Sequence, residues 1–274
     1  MALGNRIRQF NTTHLALLSI AVLAVACSSR FPARVATVDG RQVELATAGT
    51  DDGATVVFEA GLGEDWTHWD EVASEVARHT RVFAYSRPGF GASDPYTTPR
   101  DPKTIVEELR ALLASQGYAP PYIVVGHSMG GGYVELFAKA HPDEVVGAVL
   151  VDPRPGDFLA ACEAMHFAHC GISESLLATQ APAMVVEYHA YTMASEEIRA
   201  AGTFGSYPVR VLTATDHPDW SAEVNALWEA MHRALAAEAT DGEQITVQGA
   251  GHHIQLDRPD VVVAQILGML PSTP

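Results

Sequence analysis

Val124-Val125-Gly126-His127-Ser128-Met129-Gly130-Gly131 is the stretch that decides how this chain is read. An apolar, β-branched run, Tyr122 to Gly126, leads into a serine with a glycine two places away on either side, and a helix-period segment, Met129 to Ala140, leads out of it. A serine at such a strand-to-helix corner is pushed clear of the sheet by a tight backbone bend. The bend passes close to neighbouring elements and so requires small residues at Gly126 and Gly130. The first N–H of the following helix, that of Met129, has no partner inside the helix and points to where an oxyanion would form. The competing reading is a serine that only caps a helix. The strand before it and the helix after it favour a nucleophile.

Outward from this corner the chain alternates. From Arg34 onward, short apolar runs at Val35 to Val38, Gln42 to Ala46, Thr55 to Glu59, Val82 to Ser86, Tyr122 to Gly126, Val145 to Val151, Val209 to Thr213 and Gln244 to Val247 read as strands. Asp39-Gly40 is a two-residue turn signal that makes the first two a hairpin. The Val, Ile and Leu content of the others fits strands covered on both faces. Helical stretches lie between them: Trp66 to His79, Pro102 to Gln116, Met129 to Ala140, Ala222 to Ala239 and Pro259 to Leu270. The pattern is that of α/β architecture with a mainly parallel sheet. Residues 34–274 read as one domain, and residues 153–206, which carry no convincing strand, read as several short helices inserted as a lid.

A serine hydroxyl is a weak nucleophile without a base, and the base should follow a late strand. Gly251-His252-His253-Ile254 supplies it, with His252 preferred and His253 a neighbouring loop residue. Three aspartates offer a carboxylate to orient the imidazole. Asp216 is favoured because the order Ser, acid, His puts the acid after the lid; Asp152 and Asp219 are the alternatives, and any of the three could instead cap a helix. In Phe58-Glu59-Ala60-Gly61-Leu62-Gly63 the glycines let backbone approach a substrate oxygen, which makes the N–H of Leu62 the second oxyanion donor beside Met129, against a plain glycine turn as the alternative. His252-His253 lacks a third ligand at a familiar metal spacing, and no metal is expected.

A chain of 274 residues, 47% of them hydrophobic, has material for one sizeable core. A net charge of -16 argues against a nucleic-acid partner, which would require clustered cations. Arg6 and Arg8 followed by the apolar run Leu15 to Ala26 have the anatomy of a signal peptide over residues 1–26, too short to span a bilayer that needs about 20 apolar residues. Leu23-Ala24-Val25-Ala26-Cys27 resembles a bacterial lipobox. It implies export, lipidation of Cys27 and a short tether over residues 27–33 holding the domain to the cell-envelope membrane, with ordinary secretion or a retained anchor as the alternatives. Cys162 and Cys170 then remain as a close pair in an oxidising compartment, joined in a disulfide or unpaired and buried.

Over Ala33 to Leu270 the residues resemble the α/β-hydrolase superfamily, in particular its small lidded esterase-like branch. The serine corner, Tyr85-Ser86-Arg87-Pro88-Gly89-Phe90-Gly91-Ala92-Ser93 and Gly249-Ala250-Gly251-His252 match in order. The resemblance implies an eight-stranded sheet with helices on both faces, a helical cap, no cofactor, and hydrolysis of an ester, thioester or amide of a small-molecule acyl substrate. Two positions depart from it: Ala60-Gly61 stands where many members have His-Gly, and Ser86 where many have Asp. Met165, Phe167, Met184, Tyr188 and Tyr191 in the lid would suit an apolar substrate or simply pack. Cofactor-free haloperoxidase or carbon–carbon bond hydrolysis on the same triad, and a non-catalytic surface binding protein, are the competing functions.

Overall fold

The computed structural model describes residues 33–50, 53–167 and 170–270; the expected signal peptide, Cys27 and nearly all of the tether lie outside them. Eight strands form one sheet: β1 (Ala33–Val38), β2 (Arg41–Ala48), β3 (Thr55–Glu59), β4 (Val82–Tyr85), β5 (Tyr122–His127), β6 (Val145–Val151), β7 (Pro208–Asp216) and β8 (Asp241–Gly251), in the order β1-β2-β4-β3-β5-β6-β7-β8. The first two joints are antiparallel and the rest parallel. Asp39 and Gly40 both have positive φ, as a tight hairpin turn between β1 and β2 requires.

Strands β3, β4 and β5 are buried at every residue because helices cover both faces. Side chains alternate between two cores. Val57, Phe83 and Val124 pack under α2 (Pro102–Ser115) and α3 (Met129–Ala140), after α1 (Asp70–Val76) has covered the opposite face. On that opposite face Val56, Phe58, Val125 and Val149 meet Trp69 and Val72. The helix expected over Trp66 to His79 opens instead as a 3-10 turn, Trp66–Trp69, capped by the Asp65 side chain on the Thr67 N–H, and its α-helical part ends at Val76. Strand β8 runs well beyond the expected Gln244 to Val247. It is a half-exposed edge strand whose polar residues hide the apolar signal of a buried strand.

Between β6 and β7 lie α4 (Phe158–Ala164), α5 (Glu174–Leu177), α6 (Pro182–Ala190) and α7 (Ala194–Ala201), with no strand among the described residues. After β7 come α8 (Ala222–Ala237), α9 (Ile254–Asp257) and α10 (Pro259–Leu267). Cys162 of α4 is joined to Cys170 in a disulfide. A buried ionic cluster holds α6 on the sheet. Glu187, wholly buried, accepts from Arg87 (2.9 Å) and Arg100 (3.1 Å), and Arg87 also binds Glu59 at 2.6 Å and the carbonyls of Ala60 and Gly61. Glu59 and Arg87 thus fix the start of the Ala60-Gly61 loop. Ser86 donates to Glu44 at 2.8 Å, a packing contact within the sheet.

Removing one member of a buried ion cluster leaves the others desolvated and unpaired. Glu187→Ala is therefore expected to lower unfolding stability by about 3–5 kcal/mol, read from urea denaturation. A loss under about 1 kcal/mol would mean that the cluster is solvated in solution.

Candidate active site

The C-terminal ends of β3, β5, β6, β7 and β8 converge on one cavity of about 350 Å³. Ser128 caps α3 with φ 53° and ψ -121°, a conformation that L-residues rarely adopt. The corner tolerates no larger neighbours: a Cβ on Gly126 would lie 2.3 Å from the Gly130 carbonyl oxygen, and one on Gly130 would lie 2.4 Å from that of Ala60. The serine backbone is held by Ser128 N–H donating to Val151 (3.1 Å) and by Arg154 N–H donating to the Ser128 carbonyl (2.8 Å).

Ser128 Oγ donates to His252 Nε2 at 3.0 Å, and His252 Nδ1 donates to Asp152 Oδ2 at 2.7 Å. The carboxylate on His252 is thus Asp152, where the sequence reading favoured Asp216. Asp216 is exposed at the end of β7 and paired through its backbone with Gly251, and neither it nor Asp219 bonds His252. The reason is spatial. Strand β6 lies next to β5, and Asp152 at its end has φ 42°, a turn that the aspartate adopts on leaving the strand. Its side chain is fully buried and receives four donors: His252, His217 Nε2 (2.9 Å), Trp228 Nε1 (2.9 Å) and Ala214 N–H (3.0 Å). Burial alone would raise its pKa. The hydrogen bonds from His217 and His252 outweigh it and hold the carboxyl well below the usual range.

A second buried carboxylate governs the other side. Glu64 accepts from Gly61 N–H (2.8 Å), His127 Nδ1 (3.1 Å) and His253 Nε2 (3.0 Å), and the other nitrogen of His127 bonds the His252 carbonyl at 2.9 Å. One acid therefore braces the loop carrying Leu62 and the peptide carrying His252. Leu62 and Met129 both line the cavity beside Ser128, and the Leu62 N–H has no acceptor among the described residues. Two groups could gather a cation, Glu64–His127–His253 and Asp152–His217–His252, their ligand atoms lying within 4.8 Å of one another. In both, the imidazole nitrogens already bond the carboxylate. Sequence spacing missed these groups because the third members come from distant strands.

Of the lid residues singled out in the sequence, Met184 and Tyr188 line the cavity, together with Phe158, Ile172, Trp220 and Trp228. Tyr191 is buried against the Arg154 carbonyl, Phe167 packs with the disulfide cluster, and Met165 is exposed. Glu64, His127, His217, Trp228 and Arg154 were not anticipated. The available hints were slight: His127 sits inside the serine motif, and Arg154 stands two residues after Asp152.

Residues 56–265 match the sequence pattern of the alpha/beta hydrolase family. The uncharacterized protein YqjL of Bacillus subtilis (strain 168) is 27% identical over 230 residues, 82% of this chain and 87% of that protein. A non-heme chloroperoxidase of Streptomyces lividans is 35% identical over 123 residues, 44% of each chain, so the likeness spans less than half of that relative. Among solved structures, Cfl2 of Burkholderia cenocepacia superposes with a TM-score of 0.65 at 22% identity, covering 87% of this chain and 95% of its own.

Burial and the two carboxylates pull the imidazole titrations in opposite directions. Burial opposes protonation of His217, but its bond to Asp152 wins and raises its pKa above the ordinary 6.5; the bond to Glu64 raises that of His253; burial lowers those of His252 and His232. A group raised in the folded state stabilises the protein fully below about 6.5, and the gain is lost as pH rises through the folded value. NMR titration of the imidazole carbons should therefore give midpoints above 6.5 for His217 and His253 and below it for His252 and His232. Asp152→Asn should bring the His217 midpoint down, and an unmoved midpoint would break the assigned pairing.

Proposed function

Because the chain belongs to the alpha/beta hydrolase family, we propose that it is a serine hydrolase that cleaves an ester of a small or apolar acyl substrate through an acyl-enzyme on Ser128. The observation that carries this reading is the relay Asp152–His252–Ser128, at 2.7 and 3.0 Å, opening on a largely apolar cavity. Ser128 Oγ attacks the acyl carbonyl carbon while His252 Nε2 takes its proton. Asp152 keeps the proton of His252 on Nδ1, so that Nε2 is the free base, and stabilises the imidazolium that forms. The N–H groups of Leu62 and Met129 receive the oxyanion. His252 then passes its proton to the leaving alcohol, and water activated by the same imidazole releases the acid. In this reading Asp152 takes the role that the sequence assigned to Asp216.

Export and a lipid on Cys27 belong to the same proposal. The Cys162–Cys170 disulfide supports them, since such bonds persist in oxidising compartments. Cys27→Ser should shift the protein from the membrane fraction to the soluble one, and an unchanged distribution would remove the lipid from the account.

Hydrolysis of p-nitrophenyl esters of graded chain length, alongside fluorophosphonate labelling, tests the chemistry. Ser128→Ala should abolish both. Asp152→Asn should lower kcat by about 10⁴-fold, as when a triad aspartate becomes an amide, and Asp216→Asn by less than about threefold. Burial pushes the pKa of His252 below 6.5, and the charges of His127 and His253 add to this against the bond to Asp152. Because the base must be neutral, kcat/KM should be flat near neutrality and fall only as pH drops below 6.5. A wild-type protein that neither labels nor turns over any ester would end the reading.

A further inference from the structure

The cavity beside Ser128 is mostly apolar, yet its wall contains Arg154, a cation in a chain of net charge -16. Buried Arg87 and Arg100 are each paired with carboxylates. Arg154 has no carboxylate partner among the described residues. Its guanidinium lies over the rings of Tyr188 and Tyr191, 4.9 and 5.4 Å from their centroids, and its one side-chain hydrogen bond goes from Nη1 to the sulfur of Met129 at 3.8 Å. Stacking on aromatic faces holds the plane of the group but uses none of its five N–H donors, which project from the edge. The Arg154 backbone is fixed at both polar groups: its N–H donates to the Ser128 carbonyl, and its own carbonyl accepts from Tyr191 Oη. The backbone that carries the fork is thus hydrogen-bonded directly to the corner that carries Ser128. The other charged wall residue, Glu64, has both oxygens engaged by Gly61, His127 and His253 and does not neutralise it.

A guanidinium that served only to pack α6 against the sheet would gain nothing from facing the cavity. A planar fork with free donors matches the paired oxygens of a carboxylate or phosphate. We infer that the substrate carries an anionic oxygen group near its scissile ester and that Arg154 binds that group. The inference rests on the serine-esterase reading above. It makes Arg154 a specificity residue that touches the part of the substrate that does not react, and it restricts the substrate class to half-esters of dicarboxylic acids, esters of hydroxy acids, or their phosphate-bearing counterparts.

The test compares matched neutral and anionic esters on the full-length wild-type protein and on Arg154→Gln. Acyl-side probes are p-nitrophenyl valerate, the p-nitrophenyl half-ester of glutaric acid and p-nitrophenyl 4-phosphonobutyrate; leaving-group probes are butyrate esters of phenol and of 4-hydroxybenzoate. The quantity read is the ratio of kcat/KM for the anionic ester to that for its neutral partner, measured on one sample so that loss of folded protein cancels. In wild type the ratio should exceed about 10 for at least one series and fall with added salt. Arg154→Gln should lower it about 10- to 100-fold, mainly through KM, and Arg154→Lys should restore part of it. Which series shows the preference places the group on the acyl or the leaving side, and carboxylate against phosphonate distinguishes the two anions. A wild-type ratio near one in both series, or a ratio unchanged in Arg154→Gln, overturns the inference while leaving the esterase reading intact. Absence of labelling and of all ester turnover overturns the reading beneath it, and the inference with it.

Discussion

A carboxylate moved from water into a protein interior must recover its solvation from fixed donors, and Asp152 does so with four. Those donors belong to β7, to the loop after it, to α8 and to the end of β8. The requirement therefore reaches across the C-terminal half of the molecule. It explains why Trp228 is buried under the lid, why His217 stacks on Trp220 with ring centroids 4.3 Å apart, and why His232 bonds the carbonyl of Pro153 just beyond the aspartate. The His252 imidazole is thus bonded to a carboxylate that three further donors hold in place.

Glu64 plays a comparable part on the opposite flank. It reaches the loop of Leu62 through Gly61 and the peptide of His252 through His127, so these two segments are coupled through one side chain. Below it, Glu59 and Arg87 hold the same loop from underneath through the carbonyls of Ala60 and Gly61. The Ala60-Gly61 loop thus has two layers of ionic support beneath it.

The sheet was readable because its central strands are covered on both faces and so appear as runs of Val and Ile, and the serine corner because its glycines are dictated by backbone contacts shorter than any Cβ allows. Strand β8 was readable only in its middle, since an edge strand need not be apolar. The carboxylate that bonds His252 was not the one favoured, for a related reason. Chain order points past the lid to Asp216, but the hydrogen bond depends on which strand end faces the imidazole, and the side-by-side placement of β5, β6 and β7 is a property of the sheet and not of the order of residues. Glu64, His217 and Arg154 are single residues with no periodic neighbour to mark them. Their roles arise only when distant segments meet.

The ionic anchor at Glu187 makes the lid, in mechanical terms, a cantilever. Its clamped end is α6, fixed to the sheet through two arginines, and its free end is α5, where Leu177 is the one buried side chain and Leu176 is 56% exposed. The disulfide acts as a strut from α4 toward that free end, and Ile172 is tied back to Tyr188 on the clamped helix at 2.9 Å. Tyr188, under Arg154, thus stands on the braced side of the lid, and α5 on the lightly held side with one buried side chain.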